Sequence, residues 1–334
     1  MGYLETGLWA DVRELPAALG ATREAAEGVA EAARLLRGRE RIVATGNGAA
    51  YYVAHALWLA SLESAGAGPP IVAVPCGIAV REQFRWQPGD AVLAVSSSGR
   101  FRDVVEIAER AGERPCVALT ASADSPLAAA SSAAVVQHVF GQRAVTHTQA
   151  VAGAYASGLA LWAAVTGDEE LTALLAGSVA AAEAAVTGAE VWAAEALDAL
   201  AIPPAAVAVG GGTAWAAAVE LALMLKEISR IPAEGVETRE GATSAMFGLD
   251  RGHLMVSLDA EGDPLGDEAV RLCAAAGATT LRLPGVAGVD SRLTPITTLP
   301  AASALAAELA LAGGHEVDRP SWTDAYYETA RSAT

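Results

Sequence analysis

The feature that most constrains this chain is a motif that occurs twice. ATGNGAAYY at 44–52 and AVGGGTAWA at 208–216 each run from a short apolar strand through a Gly-rich turn into a helix. They stand about 160 residues apart, too long a period for a solenoid and right for tandem domains. Around both copies, short β-branched runs alternate with long Ala/Leu/Glu segments. That is the pattern of a parallel sheet with crossover helices. In the first half, strands are predicted at 41–45, 71–74, 91–96, 115–120 and 133–139. Helices are predicted near 22–37, 49–64, 101–111, 126–130 and 148–165. The second half repeats the plan, with helical segments over 169–200 and strands at 205–209, 253–258, 279–283 and 295–299. Its other helices fall at 214–230, 267–277 and 301–312. The expected fold class is therefore α/β, with a parallel sheet flanked by helices in each half.

Composition narrows the function. With 22 basic against 39 acidic side chains, the net charge is −17, which argues against nucleic acid as the main partner. Apolar runs are broken by Gly, charge or polar residues before they reach the length of a membrane span. The first residues, MGYLETGLWADVRELP, lack the basic-then-apolar order of a secretory signal. Cys76, Cys116 and Cys273 are too widely spaced for a zinc site or a disulfide framework. The expectation is a cytoplasmic protein that handles a small molecule. Lys226 is the only lysine, so any imine formed with a lysine side chain could use only that residue.

Two turns carry the chemistry. Gly46 to Ala50 form a Gly-x-Gly turn between strand and helix, which aims backbone N–H groups and a helix N-terminus at one point. A dinucleotide fingerprint would need a third Gly three residues on, but Tyr51 stands there, and no acidic residue follows the next strand. The second turn is Ser96, Ser97, Ser98 and Gly99, predicted at the carboxyl end of a strand, where open parallel sheets bind ligands. Its hydroxyls and N–H groups suit a phosphate or sulfonate, and Arg100 and Arg102 add charge. An N-capped Ser-rich loop would use the same residues.

Taken together, GNGAAYYVAHALW, AVSSSGRFRDVVEIAERA, ALTASADSPLAAASSAAV and RAVTHTQAVAGAYASGLAL resemble a SIS (sugar isomerase) domain. AVGGGTAWAAAVELALMLKEISRIPAEGVETREGA resembles the second SIS domain of glucosamine-6-phosphate synthase and its relatives, and GGHEVDRPSW their closing segment. The resemblance spans roughly residues 35–325 and only the isomerase half of that synthase. It implies two tandem SIS domains of flavodoxin-like αβα form, at 22–167 and 168–315, with a tail at 316–334 that contributes to the active site. It also implies a homodimer that binds an anionic sugar, with no metal or organic cofactor, no nucleic acid and no membrane.

Residue by residue, the resemblance makes Glu227 the base that moves a proton between C1 and C2 of an open-chain sugar. Glu220, two helical turns earlier, shares its face. Ser96, Ser97, Ser98 and Gly99 inherit the phosphate loop, and Gly46, Gly48 and Ala50 the neighbouring turn. Val145, His147 and Thr148 match a segment that lines the sugar, and Glu240 matches an assisting acid. Several positions depart from the pattern: Ala50 replaces a turn serine, Phe101 a loop threonine, Arg100 a glutamate and Met224 a helix lysine. Thr243 replaces the histidine that helps open the ring, and Ala325 the tail lysine that forms an imine. His147 is the first candidate to stand in for that histidine and His315 the second, while His55 lies on the helix after the first turn. The implied activity is a sugar-phosphate aldose–ketose isomerase, with loss or gain of an amino group open. The alternatives are a deglycase of sugar–amine adducts and a non-catalytic sugar-phosphate sensor.

Overall fold

A computed structural model describes residues 2–26, 28–64, 68–198 and 200–331. The chain divides into two compact units, and each draws on separated stretches of sequence. One comprises Ala17–Phe140, Gln149–Val179 and Trp322–Thr334; the other comprises Met1–Pro16, Gly141–Thr148 and Ala180–Ser321.

The first of these is built on five parallel strands: β1 (Arg41–Gly46), β2 (Ile71–Pro75), β3 (Asp90–Val95), β4 (Cys116–Thr120) and β5 (Ala133–Val136). Their order is β2-β1-β3-β4-β5. All six residues of β3 and all five of β4 are buried, which explains why these strands read as continuous apolar runs rather than alternating ones. The second unit holds β6 (Ala206–Gly210), β7 (Ala233–Glu237), β8 (Leu254–Ser257) and β9 (Thr279–Arg282), parallel and in the order β7-β6-β8-β9. In both sheets the strand that feeds the Gly-rich turn lies between the next two strands in sequence. The crossover direction therefore reverses at that turn, and open α/β sheets bind ligands at such a switch point.

Three expectations need correction. Residues 295–299 do not form a strand: Thr294–Thr297 and Leu299–Ala312 are helical. Pro295 and Pro300 each sit in a first helical turn, where the missing N–H is no loss. The β-branched run there is buried against the helix Thr213–Glu227, so tertiary packing overrides propensity. β7 was not expected, because its sequence AEGVE is mostly polar and small. Gly235 gives β7 its place, since a Cβ there would meet the backbone of Val219 and Ala218. The helix expected over 22–37 is two, Leu15–Ala25 and Val29–Leu36, separated at Gly28, whose φ is +78°.

Among the described residues one run, Ser291–Ala312, is long and apolar enough to cross a membrane by length and composition, and 78% of its most apolar window is buried in the protein. The bent pair Glu169–Ala176 and Ser178–Ala196 passes the same test when taken together.

In the second unit, two carboxylates fasten the stretch that carries His147 and Thr148. Asp11 accepts from the N–H groups of Arg143 and Ala144 at 2.8 and 2.9 Å and from the Arg143 guanidinium at 2.9 Å. Asp318, in the closing segment, accepts from Gly7 and Leu8 N–H, both at 2.8 Å, while its own carbonyl accepts from Val145 N–H. Asp11 is 1% exposed, so Asp11→Ala leaves the buried Ala144 N–H and the part-buried Arg143 N–H without their acceptor. We expect it to lower the unfolding free energy by about 2–4 kcal/mol, measured by urea denaturation. A change below about 0.5 kcal/mol would mean that solvent satisfies these donors.

Candidate functional site

The first Gly-rich turn is shaped by close approach. β1 ends at Gly46, where a Cβ would meet the carbonyl of Ala50 in the returning helix. Gly48 then takes φ 54° and ψ −132° as the helix Ala49–Glu63 begins, a conformation that only glycine adopts without strain. The N–H groups of Asn47 and Gly48 have no hydrogen-bond partner among the described residues. Ala50 brings no hydroxyl to this turn.

β3 lies beside β1, with Thr45 opposite Ala94, so Ser96–Gly99 leave the sheet next to Gly46–Gly48. The loop folds over its own hydroxyl: Gly99 N–H donates to Ser96 Oγ at 3.2 Å and to Ser96 O at 3.1 Å. Its back is held by β4 and the segment after it. Ser97 O accepts from Thr120 Oγ1 at 3.1 Å and from Ala121 N–H at 2.9 Å, and Gly99 O accepts from Leu127 N–H at 3.0 Å. Gly99 has φ +60°, and a side chain there would run into Ser125. Ser96 is buried, Ser97 and Ser98 are half-buried, and Arg100 is exposed. The loop thus presents two hydroxyls and the N–H groups of Ser97 and Ser98, which have no acceptor among the described residues, with a cation at its rim. Phe101, next in sequence, packs on the tail helix Thr323–Arg331, with ring centroids 6.2 Å from Tyr326 and 6.1 Å from Tyr327. On the helix after the first turn, His55 stacks against Tyr51 and Trp58. Burial pushes its pKa down to about 4, so it is neutral at physiological pH.

The second unit carries Glu220, Glu227, Glu240, His147 and Thr148. Glu220 and Glu227 lie on the helix Thr213–Glu227. Glu220 is buried, and one of its carboxyl oxygens has no hydrogen-bond partner among the described residues. Burial first, and the charge of Glu227 second, raise its pKa to about 8. Glu227 is half-buried, and desolvation raises it to about 7 against the opposing pull of Lys226. Met224, one turn after Glu220, is fully buried and apolar, so it brings no cation to offset that burial. Two carboxyls held near neutrality are what proton transfer at physiological pH calls for.

His147 is half-buried, and Thr148 is buried, its hydroxyl without a partner among the described residues. Glu240 is exposed; its N–H donates to Glu237, whose carboxylate caps the short helix Thr238–Thr243. Thr243 and Ala325 are exposed, as is Lys226. His315 is half-buried, and His253 pairs with Asp250 at 2.7 Å. Sequence reasoning missed Asp259, just past β8, and Thr238. Their signal was the alignment of the second sheet on the first, which places an acid where the first sheet has a serine.

No known protein-family profile matches the chain, and no curated protein does either. Solved structures match it along almost its whole length. A protein named only provisionally as a phosphosugar isomerase, from Silicibacter pomeroyi DSS-3, is 25% identical with a TM-score of 0.76, over 94% of this chain and 99% of that one. Glucosamine-6-phosphate deaminase from Thermotoga maritima is 17% identical with a TM-score of 0.74, over 95% and 98%. Tagatose-6-phosphate ketose/aldose isomerase from Escherichia coli is 20% identical with a TM-score of 0.71, over 94% and 95%.

The raised pKa of Glu220 has a consequence for stability. The folded state binds this proton more tightly than the unfolded chain, so protonation favours folding. The cost of ionising Glu220 is absent below about pH 4.5, grows as pH rises, and is complete above about 8. Glu220→Gln removes it. Relative to wild type, the variant should gain about 2–4 kcal/mol between pH 5 and pH 8, read from denaturant unfolding at both pH values. A pH-independent difference would mean that Glu220 is ionised in the folded protein.

Proposed function

We propose that this chain, which has the SIS-like fold of phosphosugar isomerases over nearly its whole length, is a sugar-phosphate aldose–ketose isomerase. The observation that carries the reading is Glu227, a half-buried carboxylate poised near neutrality at the end of the helix that leaves a Gly-rich turn. In this reading each sheet belongs to one of two tandem SIS domains, and the enzyme works in the cytoplasm as a homodimer.

The Ser96–Gly99 loop and the N–H groups of Asn47 and Gly48 hold the phosphate. Hydroxyls and backbone donors there bind an anion without needing a neutralising side chain, and Arg100 adds attraction at the rim. His147 opens the sugar ring in place of the family's histidine. With the chain open, Glu227 takes the proton from C2. The C–H electron pair becomes a C1=C2 bond, and the carbonyl oxygen at C1 takes a proton from a neighbouring acid. Glu227 then returns its proton to C1 while O2 gives up its own, and C2=O forms. One carboxylate serves both carbons because the proton crosses a single face of the enediol. Thr148 and Glu240 line and assist, and no cofactor is needed.

A deglycase reading is favoured by one observation. Glu220, held protonated at neutral pH, supplies the acid that a departing amine requires. The two readings share Glu227 and differ in the product.

Incubation with a panel of hexose 6-phosphates in deuterated water tests both. Deuterium at C1 or C2 is expected with wild type, and Glu227→Gln should slow its appearance about 10²–10⁴-fold. Because the base must be ionised, kcat/KM should rise with pH through about 7, not through the ordinary carboxylate range. Phosphate binding with no exchange on any sugar or sugar–amine adduct would leave a sensor and end the enzymatic reading.

A further inference from the structure

The two Gly-rich turns share one backbone and differ in what fills them. Gly48 has φ 54° and ψ −132°; Gly212 has φ 54° and ψ −134°. Gly46 and Gly210 each lack room for a side chain because the returning helix, at Ala50 and Ala214, lies against them. Strand register extends the match. Thr45 stands opposite Ala94 in the first sheet, and Val209 opposite Ser257 in the second. Two residues further along, the first sheet carries Ser96, whose hydroxyl accepts from Gly99 N–H of its own loop, and the second carries Asp259, which bonds the second turn.

At the first turn, the N–H of Asn47 has no partner among the described residues. At the second, the equivalent N–H, of Gly211, donates to Asp259 Oδ1 at 2.6 Å. The other carboxylate oxygen accepts from Thr238 Oγ1, also at 2.6 Å. Asp259 is buried, and Gly266 leaves the space that its side chain occupies. Burial raises the pKa of Asp259 and Asp263 adds to the rise, while the bonds from Thr238 and Gly211, and more weakly the Arg282 guanidinium, which donates to Ala260 O and pairs with Asp267, act against it. A turn donor and a hydroxyl thus converge on the two oxygens of one carboxylate, partners that a bound phosphate would also have. Here that group belongs to the chain.

We propose that Asp259 is a built-in anion. It fills the second turn and ties it to Thr238, so each chain takes one anionic group, at the Ser96–Gly99 turn, and not two. The inference rests on that part of the proposed function which places an anion at the first turn, and the isomerase chemistry does not enter it.

Inorganic phosphate, titrated into the full chain and followed by the backbone amide signals, reads the two turns separately. In wild type, the amides of Asn47, Gly48 and Ser97–Gly99 should shift while Gly211 stays still. In Asp259→Ser, Gly211 should join them, giving one site more than the wild type. The reciprocal Ser96→Asp should silence the first turn and weaken phosphate at least tenfold. Three results overturn the inference: Gly211 shifting in wild type, Gly211 unmoved in a folded Asp259→Ser, or an undiminished first-turn response in Ser96→Asp. A wild type silent at both turns, with Gly211 responding in Asp259→Ser, would sink the anion loop of the proposed function and leave the role of Asp259 intact.

Discussion

The structure depends on how closely a helix can return to the strand that feeds it. At Gly46 and Gly210 the backbone of the next helix sits where a side chain would project. The next residues turn through a conformation that other amino acids enter only with strain, costing about 1–3 kcal/mol each. That tightness places the helix N-terminus at the carboxyl edge of the sheet. There the crossover reversal opens a crevice, and the neighbouring strand delivers its own loop. Ser96–Gly99 in one unit and Asp259 in the other are both consequences of that geometry.

Burial governs the proton chemistry. Glu220 and Glu227 lie on a helix that is otherwise dominated by Ala and Leu, and neither has a lysine from the same helix face to offset its desolvation. Met224 fills the position where a cation would have neutralised Glu220. Lys226 is exposed and only partly offsets the shift at Glu227. The outcome is a pair of carboxyls that titrate near neutrality. A fully solvated pair would be ionised at that pH and much weaker as bases.

Much of this was legible in the residues. The Gly-x-Gly turns, the Ser-rich loop and the apolar strands follow from local chemistry, because backbone conformation and parallel-sheet burial leave direct marks on composition. The elements that escaped were fixed by partners far away in sequence. Residues 295–299 look like a strand and are helical because they bury against the helix Thr213–Glu227. AEGVE looks like a loop and is a strand because Gly235 lets it pass that same helix. Asp259 was invisible until strand register superimposed it on Ser96. The deep burial of Glu220 could be guessed from its helix face, but the extent of desolvation depends on side chains brought in from the rest of its unit.

Each unit is assembled from stretches that alternate along the chain, and the last helix, Thr323–Arg331, packs its tyrosines on Phe101 of the unit that holds the first sheet. Neither unit can be cut from the chain as one continuous segment, because each resumes beyond stretches that belong to the other. Partners so distant in sequence must close long loops before their contacts repay the entropy, which makes folding slow beside a fold of local contacts.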